Sequence, residues 1–255
     1  MKNQMFWVGL SLLLVLGQCT TDNSTNSTYT YCPSSCIDYV EICSNSSDRE
    51  CTLCAQSIFE TVPLNGVCQT LSHHQLIANE LTSSSMDLTG YSASKATPVT
   101  CGEYRFSGAN VAGDYISKTF RNLPANHYEV VVRLNMGMIG NWDGSEELYV
   151  EVDGTRYAHA SSCGYSMDIC SGYQTDCIKI KETVHPHTHS TLTLSITSSS
   201  TELDPAIKYW GIKDLLVVAR LCHDECLTCY GTLNSQCLSC AAGFYLEGNK
   251  CVAEC

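Results

Sequence analysis

Eighteen cysteines among 255 residues are the first groups in this chain that could do chemistry, and their spacing narrows which chemistry. The last stretch reads Cys222-x3-Cys226-x2-Cys229-x7-Cys237-x2-Cys240-x10-Cys251-x3-Cys255. So dense a ladder in so short a segment cannot build a core by burial alone; disulfides or a metal must hold it. Two other groupings stand out. His185-Pro-His-Thr-His189 places three histidines on alternate positions, one face of an extended chain, which could bind a transition metal. A solvated loop or strand edge accounts for the same residues more simply, and for His73-His74 as well. Trp142-Asp143-Gly144-Ser145-Glu146-Glu147 sets carboxylates around a glycine turn, the oxygen-rich donor set that calcium takes. The plainer reading is a polar turn with Trp142 and Trp210 in the core. No Gly-x-Ser-x-Gly elbow, His-Glu-x-x-His helix or phosphate-binding glycine loop occurs. The cysteines read as bridges rather than nucleophiles, and no enzyme is expected.

The N-terminus decides between disulfide and metal. Lys2, the 12-residue apolar run Phe6 to Gly17, and Gly17-Gln18-Cys19 read as a secretory signal peptide over residues 1–19. The run is too short to span a bilayer, which needs about 20 residues. The mature chain is therefore expected in an oxidising compartment, where thiols pair. The formal charge of −12 and the lack of a basic cluster argue against nucleic acid and anionic membranes as partners. No second stretch is long enough for a membrane span and no hydrophobic tail closes the sequence, so a secreted, extracellular protein is expected.

The elements that position these residues fall into four segments after the signal. Residues 20–31 are a Ser/Thr/Asn leader with little to bury. Asn23, Asn26 and Asn45 each open a glycosylation sequon, so a glycoprotein is expected. Residues 32–68 form a first cysteine-rich module, Cys32-x3-Cys36-x6-Cys43-x7-Cys51-x2-Cys54-x13-Cys68, whose intervals partly repeat the terminal ladder. Residues 69–221 hold only Cys101, Cys163, Cys170 and Cys177, and strand signals dominate. His127 to Met136 alternates, with Tyr128, Val130, Val132, Leu134 and Met136 on one face. Leu148 to Val152 alternates and ends at Asp153-Gly154, a two-residue hairpin signal, with Thr155 to His159 as the return strand. Thr191 to Ile196 turns Leu192, Leu194 and Ile196 inward. Leu215 to Ala219 is continuously apolar, as a central buried strand would be. Ser72–Thr82 could form a short helix. Strands of this number and spacing predict an all-β fold: a jelly-roll-like β-sandwich over 69–221, flanked by small disulfide-rich modules, the second at 222–255.

The terminal ladder resembles the furin-like, growth-factor-receptor cysteine-rich repeat, through Cys222-x3-Cys226-x2-Cys229, Cys237-x2-Cys240 and Gly243-Phe-Tyr-Leu before Cys251. The resemblance implies the pairs Cys222–Cys229, Cys226–Cys237 and Cys240–Cys251; the spacing alone would allow many others. Carried to the first module by the shared intervals, it implies Cys32–Cys43, Cys36–Cys51 and Cys54–Cys68. Once Cys19 leaves with the signal, 17 cysteines remain and one lacks an intrachain partner. The ladder puts Cys255 in that place, as the opening of a further repeat or a bridge to another molecule. The middle domain looks like one that precedes such repeats in large surface proteins of ciliated protists, through Phe120 to His127, Ile139 to Gly144, Val152-Asp-Gly154 and Trp210 to Asp214. Jelly-roll modules of this kind often carry structural calcium, with an acidic residue from the last strand. That likeness puts Asp214 beside Asp143 and Glu146 as three metal-binding carboxylates.

Together these readings predict a secreted, disulfide-bonded structural or adhesive glycoprotein of the cell surface, such as a subunit of a coat, appendage or filament, whose partners are other extracellular proteins or further copies of itself. The alternative is a carbohydrate- or ligand-binding receptor ectodomain with a calcium-dependent sandwich, in which aromatics such as Trp142 and Tyr157 stack on sugar rings.

Overall fold

The computed structural model describes residues 36–41, 49–54, 61–64, 67–70, 73–82, 85–142, 144–159, 169–170 and 176–253, with side chains from residue 73 onward except at 158 and 159. Four short strands come first: β1 (Cys36–Glu41), β2 (Arg49–Cys54), β3 (Thr61–Leu64) and β4 (Val67–Thr70). They pair as two antiparallel ribbons, β1 with β2 and β3 with β4. The central domain contributes β5 (His74–Glu80), β6 (Ser92–Ala93), β7 (Val99–Cys101), β8 (Tyr104–Phe106), β9 (Tyr115–Arg121), β10 (His127–Gly140), β11 (Leu148–Val152), β12 (Thr155–His159), β13 (Cys177–Pro186), β14 (Thr191–Ser198) and β15 (Lys208–Leu221). The terminal module adds β16 (Cys226–Cys229), β17 (Cys237–Cys240), β18 (Phe244–Glu247) and β19 (Lys250–Ala253).

Two antiparallel sheets form the central sandwich. One runs β13-β10-β15-β5 and the other β12-β11-β14-β9-β6. The sheets meet over Val130, Val132, Leu134, Met136 and Met138 of β10 and Leu192, Leu194 and Ile196 of β14, with Trp210 wholly buried among them. The period-two alternation of these strands turns one apolar row inward from each. No helix occurs among the described residues. The short helix expected at Ser72–Thr82 is replaced by β5, whose residues 74–80 pair with Arg220 through Leu215 on the open edge of β15. A free row of backbone donors and acceptors there outweighs the weak helical signal.

Asp214 sets the phase of β15. It adopts a left-handed φ of 52°, and the register against β10 shifts between Arg133 and Asn135. One residue is thereby inserted, so inward positions change from Trp210 and Ile212 to Leu215, Val217 and Ala219. The run Leu215–Ala219 is apolar on both parities because Leu216 and Val218 are also buried, on the outer side of the sheet with Val131. Farther along that outer side, Phe106 lies across Gly137 and Gly211, which are cross-strand partners. Ile139, Ile178 and the Cys101–Cys170 bridge surround it.

The open flanks of the sandwich are tied by polar side chains. On one flank Lys118 Nζ donates to both oxygens of Glu80 at 2.7 and 2.6 Å, and the Tyr91 hydroxyl donates to the same carboxylate at 2.5 Å. Burial and this carboxylate together push the Tyr91 hydroxyl well above the usual phenol range. On the other flank Tyr157 of β12 meets His185 of β13, hydroxyl to Nδ1, at 2.8 Å. Glu80→Ala is expected to lower stability by about 1–3 kcal/mol, since it strands a partly buried ammonium and a hydroxyl. A urea titration of variant and parent reads this as a lower midpoint at constant slope, and an unchanged midpoint would show that the strap is idle.

Candidate functional site: a histidine-lined end and its disulfide module

The end of the sandwich where β10 begins brings two buried histidine rings into contact. His127 opens β10 opposite Leu221, the last residue of β15. His187 follows β13, whose ladder with β10 closes at Pro186 against Glu129. The two rings are both buried and stack with centroids 4.9 Å apart. His127 Nε2 and His187 Nδ1 are separated by 2.6 Å. Outward from this contact, His127 Nδ1 bonds the Pro124 carbonyl. His187 Nε2 lies 3.0 Å from both the Thr191 carbonyl and Asp153 Oδ2. Asp153 is held by its own turn. It occupies the left-handed region beside Gly154 in the two-residue β11–β12 hairpin, and its Oδ1 accepts from the Thr193 amide at 2.7 Å.

Burial lowers the pKa of both rings. For His127 the bond to Pro124 works in the opposite direction, while His189 adds to the lowering. For His187 the Thr191 bond and the Asp153 charge raise what burial, His127 and His185 lower. The solvated edge expected for His185, His187 and His189 therefore holds only for His189, which is exposed. Pro186 and the return of the chain into β14 turn His187 inward. The nitrogens of His185 and His187 already face Tyr157, His127, Thr191 and Asp153, and among the described residues no three of these rings converge as metal ligands would. His127 was not anticipated as a partner; the signal would have been an unpaired histidine at the start of an otherwise apolar strand.

The terminal module docks on this same end. Cys222 N donates to the Asn126 carbonyl at 2.8 Å, and Tyr128 packs against the module's buried cysteines. His73 and His223 stack across the seam with centroids 5.8 Å apart. The module is joined by Cys222–Cys229, Cys226–Cys237 and Cys240–Cys251, with Cα separations of 5.6, 5.2 and 5.5 Å. These are the pairs that the furin-like resemblance implies. The clustered sulfurs of Cys226, Cys237 and Cys251 are all bridge atoms, so they offer no thiolate to a metal. In the central domain Cys101 bonds Cys170, and Cys177 is also disulfide-bonded. The side chains of Cys32, Cys36, Cys43, Cys51, Cys54 and Cys68, with Cys163 and Cys255, lie outside the described residues. So do residues 1–19 and the sequons at Asn23, Asn26 and Asn45.

Of the expected carboxylate triple, Glu146 and Asp214 are not drawn together. Glu146 accepts from Lys208 Nζ at 2.6 and 2.8 Å and from Ser200 Oγ at 3.2 Å. Asp214 accepts from Asn135 Nδ2 at 2.9 Å and lies 3.0 Å from Lys213 Nζ. Lys208 and Asp214 stand six positions apart on β15, roughly 20 Å at about 3.3 Å per residue. Each carboxylate has already found its own cation at a different point of the strand, which removes the repulsion that a metal would have relieved. Asp143 lies outside the described residues. Trp142 is buried with its Nε1 donating to the Ile139 carbonyl, so it is a core residue rather than a platform for sugar rings. Tyr157 packs against the core and spends its hydroxyl on His185.

No family model matches the chain. Over 31 residues, 12% of its length, it is 55% identical to variant-specific surface protein VSP4A1 of Giardia intestinalis, of which this covers 4%. Over 97 residues, 37% of its length, it is 24% identical to cysteine repeat modular protein 2 of Tetrahymena thermophila, of which this covers 5%. The chain thus spans about one-twentieth of the length of these relatives. Among solved structures, the carbohydrate-binding module CBM6cm-2 of Cellvibrio mixtus lichenase 5A aligns with TM-score 0.34 and 12% identity, covering 58% of this chain and 100% of that one. CBM35 from Cellvibrio japonicus Abf62 aligns with TM-score 0.32 and 12% identity, covering 57% and 91%. The furin-like resemblance is therefore reduced to a coarser statement: this is a cysteine-rich, disulfide-bonded β protein with weak similarity to a ciliate cysteine-repeat protein and to a Giardia surface protein.

Proposed function

We propose that this chain is an extracellular structural or adhesive glycoprotein of the cell surface, in which a β-sandwich carries a disulfide-framed module that contacts other proteins or further copies of the chain. One observation carries the reading. The terminal module holds its large apolar side chains outside: Leu227, Tyr230, Leu233, Leu238, Tyr245 and Leu246 are each at least 44% exposed. Bridges hold the module's shape, so these side chains are not needed for a core. Six exposed large apolar side chains on so short a segment are more than isolated surface residues require, and contact with another macromolecule would cover them. The disulfides and the similarity to a variant-specific surface protein of Giardia support the extracellular setting.

Analytical ultracentrifugation of the oxidised chain tests this. Concentration-dependent assembly is expected, and Leu227→Ser with Leu238→Ser should weaken it by at least about tenfold, the equivalent of 1.4 kcal/mol. The bridges do not depend on either leucine, so non-reducing peptide maps should stay the same. A chain that stays monomeric at every concentration, yet binds a defined sugar on a glycan array, would point instead to a carbohydrate-binding ectodomain.

A further inference from the structure

The contacts around His127 and His187 can be counted in protons. Three gaps lie in series: Pro124 carbonyl to His127 Nδ1, His127 Nε2 to His187 Nδ1, and His187 Nε2 to the Thr191 carbonyl and Asp153 carboxylate. Every atom bordering a gap is an acceptor unless a ring nitrogen carries hydrogen, so each gap takes one proton. Two neutral imidazoles supply two protons and leave two acceptors facing each other somewhere in the series. A third proton fills every gap and gives the pair a single positive charge, with the Asp153 carboxylate opposite. A fourth has no gap to enter. It would set two N–H groups against each other across 2.6 Å and leave two positive charges in a buried site.

We propose that the His127–His187 pair is an acid-operated latch on the seam between the sandwich and the terminal cysteine-rich module, closed while the two rings hold up to three protons and opened by the fourth. The seam depends on the latch through short backbone links. The His187 amide donates to the Tyr128 carbonyl at 3.0 Å, and Tyr128 packs on the module's cysteines. Asn126, the residue before His127, accepts the Cys222 amide. The other ionisable groups acting on the pair come from three places: Asp153 on the β11–β12 turn, His185 on β13 with its Tyr157 partner, and His189 between β13 and β14. The two further histidines oppose added protons and Asp153 favours them, so Asp153 is what allows a third proton and nothing nearby allows a fourth.

The sign follows from the lowered pKa values. Both rings bind protons less readily when buried than histidine's ordinary 6.5. The closed seam is therefore intact above that value, and its stability is lost as pH falls through the lowered values, because the open form takes up the extra proton.

Hydrogen exchange of the intact oxidised chain, followed by mass spectrometry and corrected for intrinsic rates, provides the test. The segments 122–128 and 187–191 and the Cys222 amide should open more as pH falls below about 6.5, by about a hundredfold per pH unit while the closed pair holds two protons and about tenfold once it holds three, since opening takes up two protons or one. The central segment 215–219 should not change. His187→Gln, which can still donate and accept, should flatten the dependence. If that variant does not fold, long-range proton–nitrogen spectra of the wild-type rings decide the matter. A shared N–H···N signal lost in step with the exchange change supports the latch. Wild-type exchange at these segments that is flat with pH, a His187→Gln protein that keeps the slope, or rings that both gain a second proton while the seam stays protected would each overturn it.

Discussion

Reduction of the oxidised chain is expected to unfold residues 222–253 while the sandwich keeps its fold. The module's buried cluster is made almost wholly of bridged cysteines, Cys222, Cys226, Cys229, Cys237 and Cys251, with Cys240, Phe244 and Tyr128 against them. Its other large apolar residues face outward, so nothing replaces the bridges once they are broken. Each bridge contributes about 2–4 kcal/mol, mainly by restricting the unfolded chain, which is more than so small a segment can recover from other contacts. The sandwich differs. It loses Cys101–Cys170, which closes a 69-residue separation and lies outside the main core, and the bridge of Cys177, a single residue at the start of β13 in a core otherwise built from apolar side chains of both sheets. Two probes separate the parts. In the chain without residues 1–19, which carry Trp7, Trp142 and Trp210 report the sandwich alone, since the module contains no tryptophan. Protease cuts within 222–253, located by mass spectrometry, report the module. Cleavage there at a reductant concentration that leaves the tryptophan emission blue-shifted is the expected result. A module that stays protected after full reduction, or both probes changing together, would contradict it.

The parts of this fold legible in the sequence are those fixed by local pattern. The alternation of His127 to Met136, the Asp153-Gly154 turn and the inward row Leu192, Leu194 and Ile196 each need only a few neighbouring residues to be read, and each appears as expected. The terminal bridges were legible through the spacing of a known repeat, whereas Cys101–Cys170 had no such guide. What stayed hidden depends on partners far apart in the chain. Ser72–Thr82 reads as a segment that could form a short helix because the edge of β15 that recruits it as a strand lies some 140 residues later. The carboxylates at Glu146 and Asp214 suggested a cation site because the lysines that neutralise them could not be assigned from spacing. The His127–His187 contact joins residues 60 apart, and the His185–His189 spacing that draws notice to His187 does not point to His127. Composition shows that such groups exist, and only the paired strands show which of them meet.

Phe106→Ala is expected to cost about 3–5 kcal/mol, the range for removing a large buried aromatic, although the residue sits outside the main core. Its ring is wholly buried on the outer side of the four-stranded sheet, above the cross-strand pair Gly137 and Gly211. The two glycines are not equivalent. A Cβ on Gly211 would come within 2.7 Å of the Gly108 carbonyl oxygen and of Phe106 Cβ, so backbone as well as side chain stands in its way. On Gly137 the three nearest atoms are all in the Phe106 ring. Gly137→Ala should therefore cost about 1–3 kcal/mol in the parent, the usual range for overpacking, and much less once the ring is gone. Gly211→Ala should stay costly in both backgrounds. Equilibrium denaturation of the single and double variants gives the coupling energy directly, because the residues touch and should be non-additive. If Gly137→Ala costs the same with and without the Phe106 ring, the glycine is not there to seat the aromatic, and the β7–β8 hairpin must be held to the sheet by its disulfide and by the Ser107 and Asn110 backbone bonds to Ile212 and Trp210.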